Sequence, residues 1–203
     1  YHALQPNNNT EPALVFTMDG SGDGLSATVS KVDENGNFER LAATPASASL
    51  GGIYSNTTRF LGMKILEHEY KVMGLAPYAK DKYMLETYEN IFKPAIWLSD
   101  SNYLVFESKI NASRFHDYLC ETAVGERFDN MAAALQHLTE QLVTNWICNA
   151  IKKTSINRIY TGGGVFMNVK LNQKIQEMDE VQQAFFMPSC GDESNPIGAC
   201  YDH

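Results

Sequence analysis

Residues 160–174 read YTGGGVFMNVKLNQK. Residues 158–161 form a short β-rich run that stops at three glycines, and residues 165–175 have the pattern of a loop turning into a helix. Glycines at a strand end let the backbone turn sharply and leave N–H groups bare. A helix start adds partial positive charge, so the joint suits an anion or a nucleotide. Strand–glycine–helix joints also occur in α/β proteins that bind nothing there. The segments on either side have to carry the reading.

Upstream lies the strongest helical pattern in the chain, residues 130–153. Met131, Leu135, Leu138, Leu142, Trp146, Ile147 and Ala150 follow one face. Asp129 is placed to cap its start, and Lys152 and Lys153 suit its negative end. Downstream, residues 181–187 read as a strand ending at PSCGDESNP, where Asn195 and Pro196 have the chemistry of a helix start. That helix is only about two turns long when the sequence stops, and residue 1 is Tyr, which together read as a piece of a longer protein.

Residues 1–12 read as a polar loop or a frayed end. Residues 13–18 are a mostly apolar strand, expected to be buried on both faces, running into DGSGDG (19–24). Residues 25–32 alternate as a half-exposed strand, Glu34-Asn35-Gly36-Asn37 is a hairpin signal, and residues 38–43 return as a third strand. Residues 47–63 have helical spacing. EHEYKVMGLAPY (67–78) fits neither helix nor strand throughout, residues 82–92 read as helix, and a strand is predicted at 103–106. The middle third is expected to be an insertion or a peripheral subdomain. The order predicts one α/β domain: a mixed sheet opening with three antiparallel strands and covered by helices.

A chain of 203 residues with 44% hydrophobic and 20% charged residues has room for one sizeable core. A net charge of −8 argues against nucleic acid held on a broad basic face. No apolar run approaches bilayer-spanning length. Cys120, Cys148, Cys190 and Cys200 are scattered without a C-x-x-C pair, which suits a reducing, cytoplasmic setting.

Polar chemistry in such sheets collects at strand ends. Asp19 and Asp192 each follow a strand and stand beside a glycine, so both carboxylates can reach a shared divalent cation; a bare Asp-Gly turn is the alternative. Gly20, Ser21 and Gly22 could wrap a phosphate with backbone amides and a hydroxyl, although two carboxylates in the same turn oppose that without a cation. Glu69 and Lys71, two apart, cannot share a helix face. In a loop or strand both could point inward, with Lys71 contacting phosphate or carbonyl; a solvated lysine is the alternative. His2, His68, His116, His137 and His203 show no ligand-like pairing.

Five stretches carry a family likeness: TMDGSGDG (17–24), SLGGIYSNTTRFLGM (49–63), EYKVMGLAPYA (69–79), TGGGVFMNVKLNQKI (161–175) and PSCGDESNPIGA (188–199). In that order they resemble the O-carbamoyltransferases of the nodulation-protein and antibiotic-tailoring type. These share an actin-like ATPase core, ribonuclease H-like in fold, with the tRNA threonylcarbamoyl transferases. The resemblance implies that the chain is the second lobe of that domain, with the first lobe and a downstream adenylate-forming domain lying elsewhere in the protein. It implies carbamoyl adenylate, made from carbamoyl phosphate and ATP, as the donor, and a small-molecule hydroxyl as the acceptor.

By the same resemblance Gly162, Gly163 and Gly164 pack against the adenosine with Asn168 hydrogen-bonded to it, and Glu69, Lys71 and Gly74 line the opposite side. Asp19 and Asp192 hold a divalent metal, expected to be iron, whose two histidine ligands precede Tyr1. Glu193-Ser194-Asn195 departs from the family pattern, which has a glycine soon after the aspartate. The expectations that follow are an inactive isolated lobe and self-association of its uncovered face. An actin-fold sugar or carboxylate kinase and a non-catalytic nucleotide-binding scaffold are the competing readings.

Overall fold

A computed structural model describes residues 11–202. Strands β1 (Ala13–Gly22), β2 (Leu25–Val32) and β3 (Phe38–Pro45) form an antiparallel meander, as the sequence predicts. β6 (Arg158–Gly162) and β7 (Gln183–Phe186) add in parallel on the far side of β1, giving the order β3-β2-β1-β6-β7.

β1 corrects two expectations. Leu14, Phe16 and Met18 are buried while Thr17 is exposed and bonded across the pair to Thr28, 2.6 Å between hydroxyls, so one face of the strand is open rather than both covered. The strand also does not end at Asp19. It runs on to Gly22, with its register against β2 shifted between Met18 and Gly22. The tight turn is Asp23-Gly24, with φ of 52° and 78°, the backbone of a two-residue hairpin. Asp19 therefore sits in an irregular stretch of strand, upstream of the turn.

Helix α1 (Leu50–Phe60) is narrower than its predicted span and is capped by Ser49, whose Oγ accepts from the Gly52 amide at 2.8 Å. EHEYKVMGLAPY resolves into helix α2 (Glu69–Leu75) followed by a 3₁₀ turn, Ala76–Tyr78. The loop-or-strand reading of Glu69 and Lys71 is thereby replaced: on a helix they diverge. α3 (Asp81–Thr87) passes into a π-helical turn, Tyr88–Phe92. The strand predicted at 103–106 lies slightly later: β4 (Ile96–Leu98) pairs with β5 (Phe106–Ser108), and α4 (Phe115–Thr122) follows, which periodicity had not revealed.

The long helix α5 (Phe128–Thr154) exceeds its predicted ends. Asp129 does not cap it: Arg127 occupies the cap position, and Asp129, in the first turn, pairs with the Arg127 guanidinium at 2.9 Å. That pairing holds the Asp129 carboxyl below the usual carboxylate range. The helix closes on Ser155 in the left-handed region, φ 59°. α6 (Val169–Gln176) and α7 (Asn195–Asp202) complete the order.

The middle third is not peripheral. Phe92, Ile96, Leu104, Phe106 and Phe115 belong to the same buried cluster as Phe16 and Trp146. Trp146 is its keystone: its ring lies 4.8 Å from Phe16 edge-on and 5.2 Å from Phe106, and its Nε1–H donates to the Leu104 carbonyl at 2.8 Å. Trp146→Phe keeps a ring but strands that carbonyl and leaves space. It is expected to cost about 2 kcal/mol of stability, measured as a lowered urea midpoint with unchanged slope.

Candidate functional site

The site starts where β1 loses its register. The Asp19 carboxylate accepts from two backbone amides, Gly20 N at 2.6 Å through Oδ1 and Gly164 N at 2.9 Å through Oδ2. It thus ties the irregular end of β1 to the turn after β6. Gly163 makes that approach possible. Its φ is 98°, and a Cβ there would stand 2.3 Å from the Met18 carbonyl oxygen. Its N–H donates to the Cys190 carbonyl at 3.0 Å, which draws the loop after β7 alongside.

α1 presses on the same place. Ser49 Oγ lies 2.5 Å from the Gly20 carbonyl and 3.1 Å from that of Asp19. A Cβ on Gly51 would lie 2.7 Å from the Asp19 oxygen. An eleven-residue helix thus directs its N-terminal end, with its partial positive charge, at the strand end that carries Asp19.

Between these elements opens a cavity of about 500 Å³. Asp19, Gly20, Glu69, Gly164, Asn168 and Asp192 line it, so six of the residues singled out from sequence come together. Ser21, Gly22, Gly74, Gly162 and Gly163 are not on its lining, and Lys71 is exposed with its ammonium 5.8 Å from the Tyr70 ring centre. Ser21 and Gly22 are displaced because the hairpin turn lies beyond Asp19, and Lys71 because α2 turns it away from the face that carries Tyr70 and Met73 into the cavity.

Glu69 braces the cavity wall formed by α1 and α2. Its Oε1 accepts from Ser55 Oγ at 2.9 Å and from the Leu66 amide at 2.8 Å, holding Leu66 in a left-handed conformation, φ 64°. Leu66 and Tyr70 stand exposed at the rim beside Met167. Asn168 caps α6 by accepting from the Leu171 amide at 3.0 Å and is paired with Gln136 of α5. Gln136, Tyr54 and Gly51 were not picked out from sequence. Gln136 falls on the buried side of a helix, where a lone polar residue was the available signal.

Asp192 opens a 3₁₀ turn, Asp192–Ser194, and its carboxylate has no hydrogen-bond partner among the described residues. Glu193 folds back on the loop: it accepts from Ser189 Oγ at 2.6 Å, which lowers its pKa. Cys190 is buried beside it and donates to the Met187 carbonyl at 2.6 Å. Burial, then the charges of Glu193 and Asp19, push its thiol up to about 11. At pH 8 only about a thousandth of it is thiolate. Iodoacetamide at that pH is expected to label the exposed Cys120 and Cys200 and spare Cys190 until the protein is unfolded, as peptide mass spectrometry would read.

No group of three or more His, Cys, Asp or Glu side chains is placed to hold a metal among the described residues. Asp19 and Asp192 bring two carboxylates to one cavity, which falls short of a ligand set.

Comparison with known families bears on what the cavity is. Residues 6–201 match the family described as Carbamoyltransferase N-terminus. The chain belongs to this family. Among proteins related to this carbamoyltransferase N-terminus chain, Nodulation protein NolNO of Sinorhizobium fredii is 29% identical over 192 residues, which is 93% of this chain and 28% of that protein. Nodulation protein NolO of Bradyrhizobium diazoefficiens is 31% identical, over 93% of this chain and 34% of its own length. Protein MJ1051 of Methanocaldococcus jannaschii, described as uncharacterized, is 32% identical over 92% of this chain and 36% of its own. The carbamoyltransferase N-terminus chain therefore spans about a third of the length of these relatives. No helix among its described residues is long and apolar enough to cross a membrane.

Proposed function

We propose that this chain is the nucleotide-side lobe of an O-carbamoyltransferase, passing a carbamoyl group from carbamoyl adenylate to an acceptor hydroxyl. One observation carries the reading. The five stretches that resemble the family are spread between residues 17 and 199, yet each contributes to one cavity: Asp19, Gly51 with Tyr54, Glu69 with Tyr70, Gly164 with Asn168, and Asp192. An actin-like architecture is supported by the meander β3-β2-β1 continued in parallel through β6 and β7.

In this reading the rest of the protein supplies the opposing lobe and the domain that makes the adenylate. The part of the cavity lined by Asp19 and Asp192 takes the reacting end of the donor. Tyr70, Met73 and Met167 offer an apolar wall to its base. Asp19 holds the Gly164 turn against β1, so the cavity keeps its shape before the donor arrives. Asp192 leaves a free carboxylate toward the same space. The two carboxylates would contribute to a divalent cation, expected to be iron, whose other ligands lie outside the described residues. When bound, such an ion polarises a carbonyl or phosphate as a Lewis acid.

The test is a product assay on the full-length protein with carbamoyl phosphate, ATP and a panel of hydroxyl acceptors, alongside metal analysis. A carbamoylated acceptor with AMP release is expected. A phosphorylated acceptor with ADP release would favour a kinase, and nucleotide binding without turnover would favour a scaffold. The isolated lobe is expected to be inactive. It is also expected to self-associate through Leu66, Tyr70 and Met167 at the rim; a clean monomer by light scattering at high concentration would refute that part.

A further inference from the structure

We infer that Gln136, held by Glu140 on the same helix, is a positioning residue that makes Asn168 present a hydrogen-bond donor to the cavity. The inference rests on the proposed nucleotide reading of this wall and adds the polarity of the contact, and with it the kind of ligand atom that can sit there.

Gln136 lies on α5, is 5% exposed, and all four of its hydrogen-bonding positions are used. Its Nε2 donates to Glu140 Oε1 at 2.7 Å and to Asn168 Oδ1 at 3.2 Å. Its Oε1 accepts from Asn168 Nδ2 at 2.8 Å and from the Tyr54 hydroxyl at 3.3 Å. An amide could be turned end for end, but here both ends are determined. A carboxylate only accepts, so Glu140 forces the NH₂ of Gln136 toward itself, and the carbonyl must face Asn168 and Tyr54.

That choice sets Asn168. Its Nδ2 has to face the Gln136 carbonyl, which leaves Oδ1 to accept from Gln136 and from the Leu171 amide at 3.0 Å. The cap of α6 and the Glu140–Gln136 pair thus demand the same orientation. With Oδ1 receiving two donors and one Nδ2 proton engaged, the remaining polar position of the Asn168 side chain is its second N–H. Asn168 lines the cavity, and Tyr54 lines it beside Asn168. Burial, reinforced by Glu69 and Glu140, raises the Tyr54 pKa, so its hydroxyl remains a donor to Gln136 at neutral pH. The ligand atom opposite Asn168 must therefore be an acceptor, such as a ring nitrogen, a ribose oxygen or a carbonyl.

The experiment uses the full-length protein, with AMP, the group that leaves in this cavity, as the probe for calorimetric titration and with preformed carbamoyl adenylate for the KM in the transfer assay, so that the domain consuming ATP is bypassed. Asn168→Asp keeps a good helix cap but removes both N–H groups and sets an acceptor against the Gln136 carbonyl; it is expected to weaken AMP at least tenfold, with a Tm lower by a few degrees in a protein that stays folded. Gln136→Leu is expected to raise the Kd for AMP and the KM for carbamoyl adenylate about tenfold with kcat within about twofold. The double variant Q136E/E140Q restores the acceptor that faces Asn168 Nδ2 but not the donor to Asn168 Oδ1, and is expected to bind AMP more tightly than Gln136→Leu and more weakly than wild type. Should Gln136→Leu not fold, Tyr54→Phe removes one clamp on the Gln136 carbonyl and is expected to weaken AMP by about threefold. Wild-type affinity in Gln136→Leu, or in Tyr54→Phe if it stands in, with loss in Asn168→Asp, would overturn the positioning role and leave the nucleotide reading intact. Wild-type affinity in Asn168→Asp would overturn both.

Discussion

Asp19→Asn in the full-length protein is expected to lower carbamoyl transfer by about a thousandfold or more. The substitution changes no volume, but it changes what the side chain can accept. Asp19 receives one amide through each oxygen, from Gly20 at 2.6 Å and from Gly164 at 2.9 Å. An asparagine must turn its NH₂ toward one of them, setting donor against donor, and it removes the negative charge from the cavity. The lost pairing is expected to cost about 2 kcal/mol of stability, far too little to unfold most of the protein at assay temperature. Asp192→Asn is the matched control. Its carboxylate has no hydrogen-bond partner among the described residues, so the same loss of transfer is expected with Tm nearly unchanged. Transfer within tenfold of wild type in both variants would reduce the cavity to a scaffold.

The second large effect concerns folding. Gly163→Ala is expected to destabilise the protein by about 4 kcal/mol, from left-handed strain combined with overpacking. The φ of 98° is a conformation that L residues rarely adopt, and the new methyl would meet the Met18 oxygen at 2.3 Å and its carbonyl carbon at 2.7 Å. Neither obstacle is a flexible side chain that could move aside, because both belong to the backbone of β1. A Tm lower by roughly 10 °C or more is expected. Gly162→Ala is the internal comparison: a Cβ there meets nothing within 4 Å, and its effect should be small. The two neighbouring glycines, alike in sequence, thus separate into one required by packing and one that is not. An equal effect from both would refute the close approach.

Much of the architecture was legible because hydrophobic period and turn chemistry agreed. The meander followed from alternation and from Asn35-Gly36, and the long helix followed from its apolar face. What escaped was set by tertiary contact. Residues 67–78 carry mixed signals because α2 is only seven residues long, with Val72 alone fully buried. Asp19 looked like part of a turn because the register shift that leaves it inside β1 depends on how β2 pairs. Among the residues that line the cavity, those beside glycines or in acidic corners were visible, as at Asp19, Gly164 and Asp192. Gln136 and Tyr54 were hidden, since a polar group on a helix interior declares its partner only when the facing element is in place. Lys71 is the converse case: its charge suggests a contact, while α2 turns it away from this cavity.

The hydrogen bond from Trp146 to Leu104 also bears on how this protein can change over time. Because that bond and the packing of Phe106 on Trp146 seat the β4–β5 hairpin in the one core, residues 92–115 are no detachable ornament. A shortened or exchanged segment there would alter the bed on which α5 lies, and α5 carries Gln136. Lineages should therefore vary this region in step with α5, by compensated exchange of buried residues, and should place insertions of new length in solvent-facing loops instead.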